Sequence, residues 1–120
     1  MRNIYIFLLI ITSLRVYGQN DCNKLKTNFT SYSEAINTIK STKFKIAEDV
    51  NTSRSSWVRG ASFYSCDKTS GYFIIKTDNG SYIYKNLPIS VWISFKNARS
   101  FGSYYDQNIR YKYKLYLTGY

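Results

Sequence analysis

The sequence predicts an α+β fold. Its centre is a three-stranded antiparallel β-meander packed against one or two C-terminal helices, and an N-terminal helix–strand extension precedes it. Three observations predict this. Tyr72–Thr77 is a run of β-formers closed by Asp78-Asn79-Gly80, a strong hairpin signal because Asn and Gly tolerate positive φ. Val91, Phe95 and Ala98 recur at helical spacing just behind Pro88, beside Trp92. The chain has 120 residues, which is the size of a single domain.

The first segment reads as a signal peptide over residues 1–18. Arg2 supplies the positive start and Ile4–Leu14 the apolar stretch. Val16 and Gly18 are small enough to precede a cleavage site before Gln19. A spanning helix needs ~20 apolar residues, so the expectation is export without stable membrane insertion after cleavage. The destination is the periplasm or the cell exterior. Residues 19–54 then form the extension and linker. Ser31 or Thr30 caps a helix that carries Glu34 in its first turn and Ala35, Ile36 and Ile39 inward, and that stops near Ser41. Phe44 and Ile46 alternate with Lys43, Lys45 and Ala47, which predicts a short strand. Asn51–Ser55 reads as linker.

Residues 55–117 hold the core. Ser56–Tyr64 reads as its first strand, Asp67–Gly71 as a turn, and Ser81–Asn86 as its third strand, with Tyr82 and Tyr84 on one face. Pro88 suits the first helical position, where its missing N–H costs nothing. Gly102 is expected to break or turn the chain before a second helix over Ser103–Arg110. Tyr111–Leu117 alternates basic and apolar residues, as an edge strand does when its lysines face water.

Composition limits the chemistry. The chain has no His, so it lacks the commonest general base and metal ligand, and two Cys cannot by themselves fill a structural zinc site. No paired-carboxylate spacing occurs among its acids. The expectation is therefore a protein without catalytic activity, metal or cofactor. In an exported chain Cys22 and Cys66 have only each other and are expected to form a disulfide. Closing a loop of about 45 residues would stabilise by ~3–4 kcal/mol. The 17 basic residues outnumber 7 acidic ones, and removing residues 1–18 takes away only Arg2 and Arg15. That surplus fits an anionic ligand or an acidic protein partner, and nucleic acid is among the candidates.

Two candidate sites follow. Tyr82 and Tyr84 share a strand face on which bases could stack, with Lys76, Lys85, Arg99, Arg110, Lys112 and Lys114 available for phosphates. The alternative is that these tyrosines pack against the following helix with their hydroxyls at its edge. The second is Ser100–Tyr105, where Ser100 would cap a helix, Gly102 allow a tight corner, and Tyr104 sit on the helix. Its N–H groups could take an anion near Arg99 or Arg110; the alternative is a structural corner.

The residues from about Ser55 to Tyr113 also resemble a known family. The matching pieces are Ser55-Ser56, Tyr64, Gly80 followed by Tyr82-Ile83-Tyr84, and Leu87-Pro88 where the family has Val-Pro. Trp92 stands where the family usually has Tyr or another large apolar group. Ala98–Asp106 is close to A-x-S-x-G-x-Y-F-N, and Ile109-Arg110 follow. This pattern resembles the KTSC domain, named after the C-terminus of some lysyl-tRNA synthetases and found alone in small bacterial and phage proteins. Thr77 departs from the family's usual Phe and Asp106 from its Asn. The resemblance implies a small α+β fold without established enzymatic activity, and a role in RNA binding. It supplies no catalytic residues. Together the expectations describe a small exported basic binding module. Nucleic-acid binding through the Tyr-x-Tyr face is the first alternative, and an envelope hydrolase or inhibitor the second.

Overall fold

The computed structural model describes residues 20–118. The expected signal peptide over residues 1–18 lies outside the described residues. No described helix is long and apolar enough to cross a membrane.

The chain opens with a short strand, β1 (Asn20–Asp21), and a 3-10 turn, Cys22–Lys24. Helix α1 (Tyr32–Lys40) starts where its caps dictate. The Ser31 hydroxyl accepts the Glu34 N–H at 3.0 Å, and the Glu34 carboxylate accepts the Thr30 N–H at 3.0 Å. That second bond, more than neighbouring Lys26, holds the Glu34 carboxyl below its ordinary range. The helix ends at Ser41, as its sequence predicts. Strand β2 (Thr42–Lys43) pairs in parallel with β1.

The main sheet has four antiparallel strands in sequence order rather than the three expected. They are β3 (Ile46–Val50), β4 (Val58–Ser65), β5 (Ser70–Thr77) and β6 (Gly80–Pro88). The extra strand, β3, comes from the N-terminal extension and zips along β4 from Ile46↔Ser65 to Val50↔Ala61. It begins later than the alternation around Phe44 implies. Phe44 instead leaves the ladder and packs on Tyr64 and Tyr72, with ring centroids 5.6 and 6.3 Å away. Between β5 and β6 the turn is Asp78-Asn79, closed by the Thr77↔Gly80 pair. Positive φ falls on Gly80 (136°) rather than on Asn79. The β4–β5 turn is held by the Asp67 carboxylate, which accepts from the Thr69 and Ser70 N–H groups at 2.9 and 3.0 Å.

Both faces of the sheet are covered. On one, Phe63, Phe73, Ile75 and Tyr84 meet Trp92, Phe95, Phe101, Tyr105 and Ile109. On the other, Tyr72, Ile74 and Ile83 meet Phe29, Ala35, Ile39 and Leu115. The β5 run Tyr72–Ile75 is therefore continuously apolar because alternate side chains enter two different cores.

The C-terminal helices depart from expectation in detail. Pro88 is the cap residue of α2 (Ile89–Lys96) and not its first helical residue. The buried face of α2 is Trp92 and Phe95; Val91 is half-buried, and Ala98 lies beyond the helix end. Helix α3 spans Phe101–Asn108, so Gly102 lies inside it and does not break the chain. A Cβ at Gly102 would lie 2.5 Å from the Trp57 ring, so close packing is what requires glycine there. The tail Tyr111–Leu117 is not an edge strand. It touches β6 through one bridge, Tyr84↔Lys114, and the Lys85 N–H donates to the Tyr113 carbonyl at 2.9 Å. Buried Leu115 pulls the tail toward the α1 side of the sheet and ends the pairing.

The two cysteines form a disulfide, Cys22–Cys66, with Cα atoms 5.8 Å apart. It fastens the N-terminal segment to the end of β4.

Candidate functional site: a tyrosine cleft

A cleft of about 440 Å³ opens at the end of the sheet that carries the β5–β6 turn. Its floor is made by Tyr84 on β6 and Tyr105 on α3, which are 7 % and 3 % exposed. Their rings meet edge to face at 5.8 Å, and their hydroxyls hydrogen-bond to each other. Burial, reinforced by the Tyr105 hydroxyl, pushes the Tyr84 phenol far above its ordinary value, and burial likewise raises Tyr105. Both phenols are therefore neutral at physiological pH.

The walls are exposed aromatics. Tyr32 at the start of α1, Tyr82 on β6 and Tyr111 in the tail are 49 %, 41 % and 70 % exposed. Trp57 flanks the floor, its ring 6.1 Å from that of Tyr105. Two cations complete the rim. The Arg110 guanidinium lies 5.4 Å and the Lys114 ammonium 5.9 Å from the Tyr111 ring centre. Among the described residues no carboxylate lines the cleft, and the anionic contact of its cations is Asp106, which accepts from Arg110 at 3.2 Å.

Of the residues singled out from sequence, the structure brings Tyr82, Tyr84, Arg110 and Lys114 together here. The register confirms that Tyr82 and Tyr84 share a face, opposite Ile75 and Phe73. Their fates differ: Tyr84 is packed and Tyr82 open. Lys85 instead lines a groove of about 320 Å³ beside the disulfide. Lys112 is exposed and lines neither. Arg99, Ser100, Gly102 and Tyr104 lie at the α2–α3 corner. Ser100 caps α3 by accepting the Ser103 N–H at 3.2 Å, and Tyr104 packs edge-on against Phe95 at 6.2 Å. The Arg54 guanidinium donates to the Ala98 and Arg99 carbonyls and stacks 3.9 Å over the Phe101 ring. That corner is filled by the protein's own groups.

Sequence reasoning missed Tyr32, Trp57, Asn79, Tyr105 and Tyr111 as parts of one site. Tyr105 carried a signal as the end of the Ser100–Tyr105 candidate, though not for this site, and Tyr111 as the residue between Arg110 and Lys112. The others come from separate segments and meet only in the fold. The one cluster of metal-ligand types among the described residues is Asp21, Cys22 and Cys66, whose sulfurs are joined to each other.

The cleft's floor, Tyr84 and Tyr105, and the lining residues Tyr82, Arg110 and Tyr111 fall in the stretch that the comparison with known families picks out, whereas Tyr32, Trp57 and Lys114 do not. Residues 73–113 match the KTSC domain. The KTSC segment starts inside β5, so β3, β4 and α1 lie outside it, as do Ser55-Ser56 and Tyr64. It spans well under half of the chain. No curated protein and no solved structure matches the chain.

Proposed function

We propose that the protein is exported and acts as a small basic binding module without catalytic activity, its anionic ligand seated in the tyrosine cleft. The observation that carries this reading is convergence. Three large, exposed tyrosines line one cleft whose charged lining groups, among the described residues, are Arg110 and Lys114. Exposed apolar rings gathered at a single concavity mark a contact surface better than the same rings scattered. The neutral phenols of the floor supply hydrogen bonds and are poor general bases. Cys22–Cys66 fits an oxidising compartment.

The test uses the full chain, leader included, recovered from the compartment where the cell places it. Mass spectrometry is expected to find an N-terminus at Gln19; an intact Met1 on cytoplasmic material overturns export. The immobilised protein is expected to retain an anionic ligand from envelope or culture-fluid fractions. Tyr82→Ala with Lys114→Ala is expected to lose it while the fold, followed by circular dichroism, is kept. Turnover of a substrate by the purified protein would overturn the non-catalytic reading.

Nucleic acid is a second reading, favoured by open tyrosine faces beside cations. Its signature is a gel shift that weakens steeply with salt and on Tyr82→Ala.

A further inference from the structure

We propose that the tyrosine cleft is a subsite for one nucleotide unit, a flat heterocycle carrying a phosphate ester, rather than a track for a long stretch of strand. The inference rests on reading the cleft as the ligand site, and it deepens that reading.

Size comes first. At about 440 Å³ the cleft falls within the ~300–1,000 Å³ range of small-molecule sites and holds about one nucleotide. The other basic residues that could extend a track do not line the cleft: Lys85 lines the disulfide groove, and Lys76, Arg99 and Lys112 line neither.

The ring is argued from the walls. The core aromatics stack on one another, whereas Tyr32 and Tyr82 have no aromatic partner among the described residues. Their faces are open for a flat, polarisable ring. The ring's edge also has partners. Asn79 lines the cleft, and its side-chain amide makes no hydrogen bond among the described residues. That amide offers a donor and an acceptor side by side, the pairing that a heterocyclic base edge presents. The Tyr84–Tyr105 pair spends one O–H internally, which leaves the second phenol proton to donate.

The phosphate is argued from the rim. Arg110 has five N–H donors and Asp106 engages one nitrogen of the fork, so donors remain for an anion. Lys114 adds a point charge 5.9 Å from the Tyr111 ring centre. Asp106 is then a competitor for the phosphate.

Isothermal titration calorimetry of the full chain tests this with four probes: nucleoside 5′-monophosphates, the nucleosides, ribose 5-phosphate and inorganic phosphate. The expected result is a nucleotide that binds at least about tenfold more tightly than any of the other three. Stacking worth ~1–3 kcal/mol per base sets the expected loss on Tyr82→Ala at about 5- to 150-fold. Asp106→Asn is expected to tighten the nucleotide and leave the nucleoside unchanged. Lys68→Ala, on the β4–β5 turn, is expected to leave binding intact. A mononucleotide as tight as a short single-stranded oligonucleotide identifies a free nucleotide as the ligand, and a tighter oligonucleotide identifies a residue of a strand. Inorganic or ribose phosphate binding as well as the nucleotide, or no saturable response to any nucleotide, overturns the inference. Should nucleotides fail while Tyr82→Ala still abolishes retention of the envelope ligand, only the nucleotide assignment falls. Should Tyr82→Ala leave that retention unchanged, the cleft itself is not the site.

Discussion

Gly102 and the Tyr84–Tyr105 pair show how single residues set this structure. A methyl group at Gly102 would sit 2.5 Å from the indole of Trp57, so the ring or α3 would have to shift to admit it. Gly102→Ala is expected to cost ~1–3 kcal/mol by overpacking, read as a lower midpoint in urea denaturation. An unchanged midpoint would mean that Trp57 swings aside freely, and Trp57 would then be no fixed wall for the cleft. The tyrosine pair makes a pH prediction. Its phenols have pKa values raised in the folded state, chiefly by burial, and Tyr72 is raised for the same reason. Above the ordinary tyrosine value of 10.0 the unfolded chain releases protons that the folded chain keeps. Stability is therefore full below that pH and falls as pH rises through it. Tyr84→Phe combined with Tyr105→Phe is expected to flatten that alkaline decline in denaturation midpoints collected across the range. An identical slope in the double variant would remove these phenols as its cause.

At the scale of elements, the edge strand β3 is the informative case. It joins the sheet only along β4, and its α2-facing side is pinned by Glu48, whose carboxylate accepts from the Trp92 indole at 2.7 Å and the Lys96 ammonium at 2.9 Å. The indole bond first, then Lys96, holds the Glu48 carboxyl below its ordinary 4.5. A lowered carboxyl contributes stability that is present above 4.5 and is lost as pH falls through the folded value. Glu34 and Asp67 act in the same direction through backbone N–H bonds. Glu48→Gln is expected to reduce the loss of stability on acidification, and hydrogen exchange is expected to show earlier opening of Ile46–Val50. Protection in β3 equal to that of the parent would show that the Trp92 and Lys96 contacts contribute nothing to the strand. The exposed Lys96–Glu48 pair alone would be worth little, so the indole bond is the one the variant tests.

For the whole molecule, the sheet is a shared wall between two cores: the one under α2 and α3 takes its buried residues from Val58–Ile109, with Ile46 and Val50 packed at its margin, whereas the other needs the N-terminal segment. Tyr72, Ile74 and Ile83 are covered by Phe29, Ala35 and Ile39 from the N-terminal segment. A chain beginning at Ser55 would leave that face bare and would lack β3. Such a fragment is expected to lose cooperative thermal unfolding or to aggregate; a sharp transition from a monomeric fragment would count against the two-core account. The disulfide ties the same halves together. Cys22→Ser with Cys66→Ser is expected to lower stability by ~3–4 kcal/mol, measured by urea denaturation, with no free thiol detectable in the parent unfolded without reductant. The disulfide also keeps the segment before α1 close to the sheet, and α1 supplies Tyr32 to the cleft.

The sequence by itself determined what depends on neighbours along the chain. Strands β4, β5 and β6 follow from β-former runs and the Asp78-Asn79 turn, and α1 from Ser31 and Glu34. Two cysteines in a chain expected to be exported predicted the Cys22–Cys66 pair. Even the open or packed fate of the Tyr-x-Tyr face was framed correctly as a choice, and the fold resolved it one tyrosine each way. Tertiary structure alone decided the rest. Nothing local says that Ile46–Val50 docks on β4, that Arg54 in an apparent linker locks the α2–α3 corner, or that Gly102 is a contact rather than a bend. The cleft is the clearest instance, since Tyr32, Trp57, Tyr82, Tyr105 and Tyr111 come from five separate stretches. Periodicity and capping report which face of an element is apolar. Which distant element meets that face is settled by burial of both surfaces together, and a pattern read along one strand or helix carries no record of its partner.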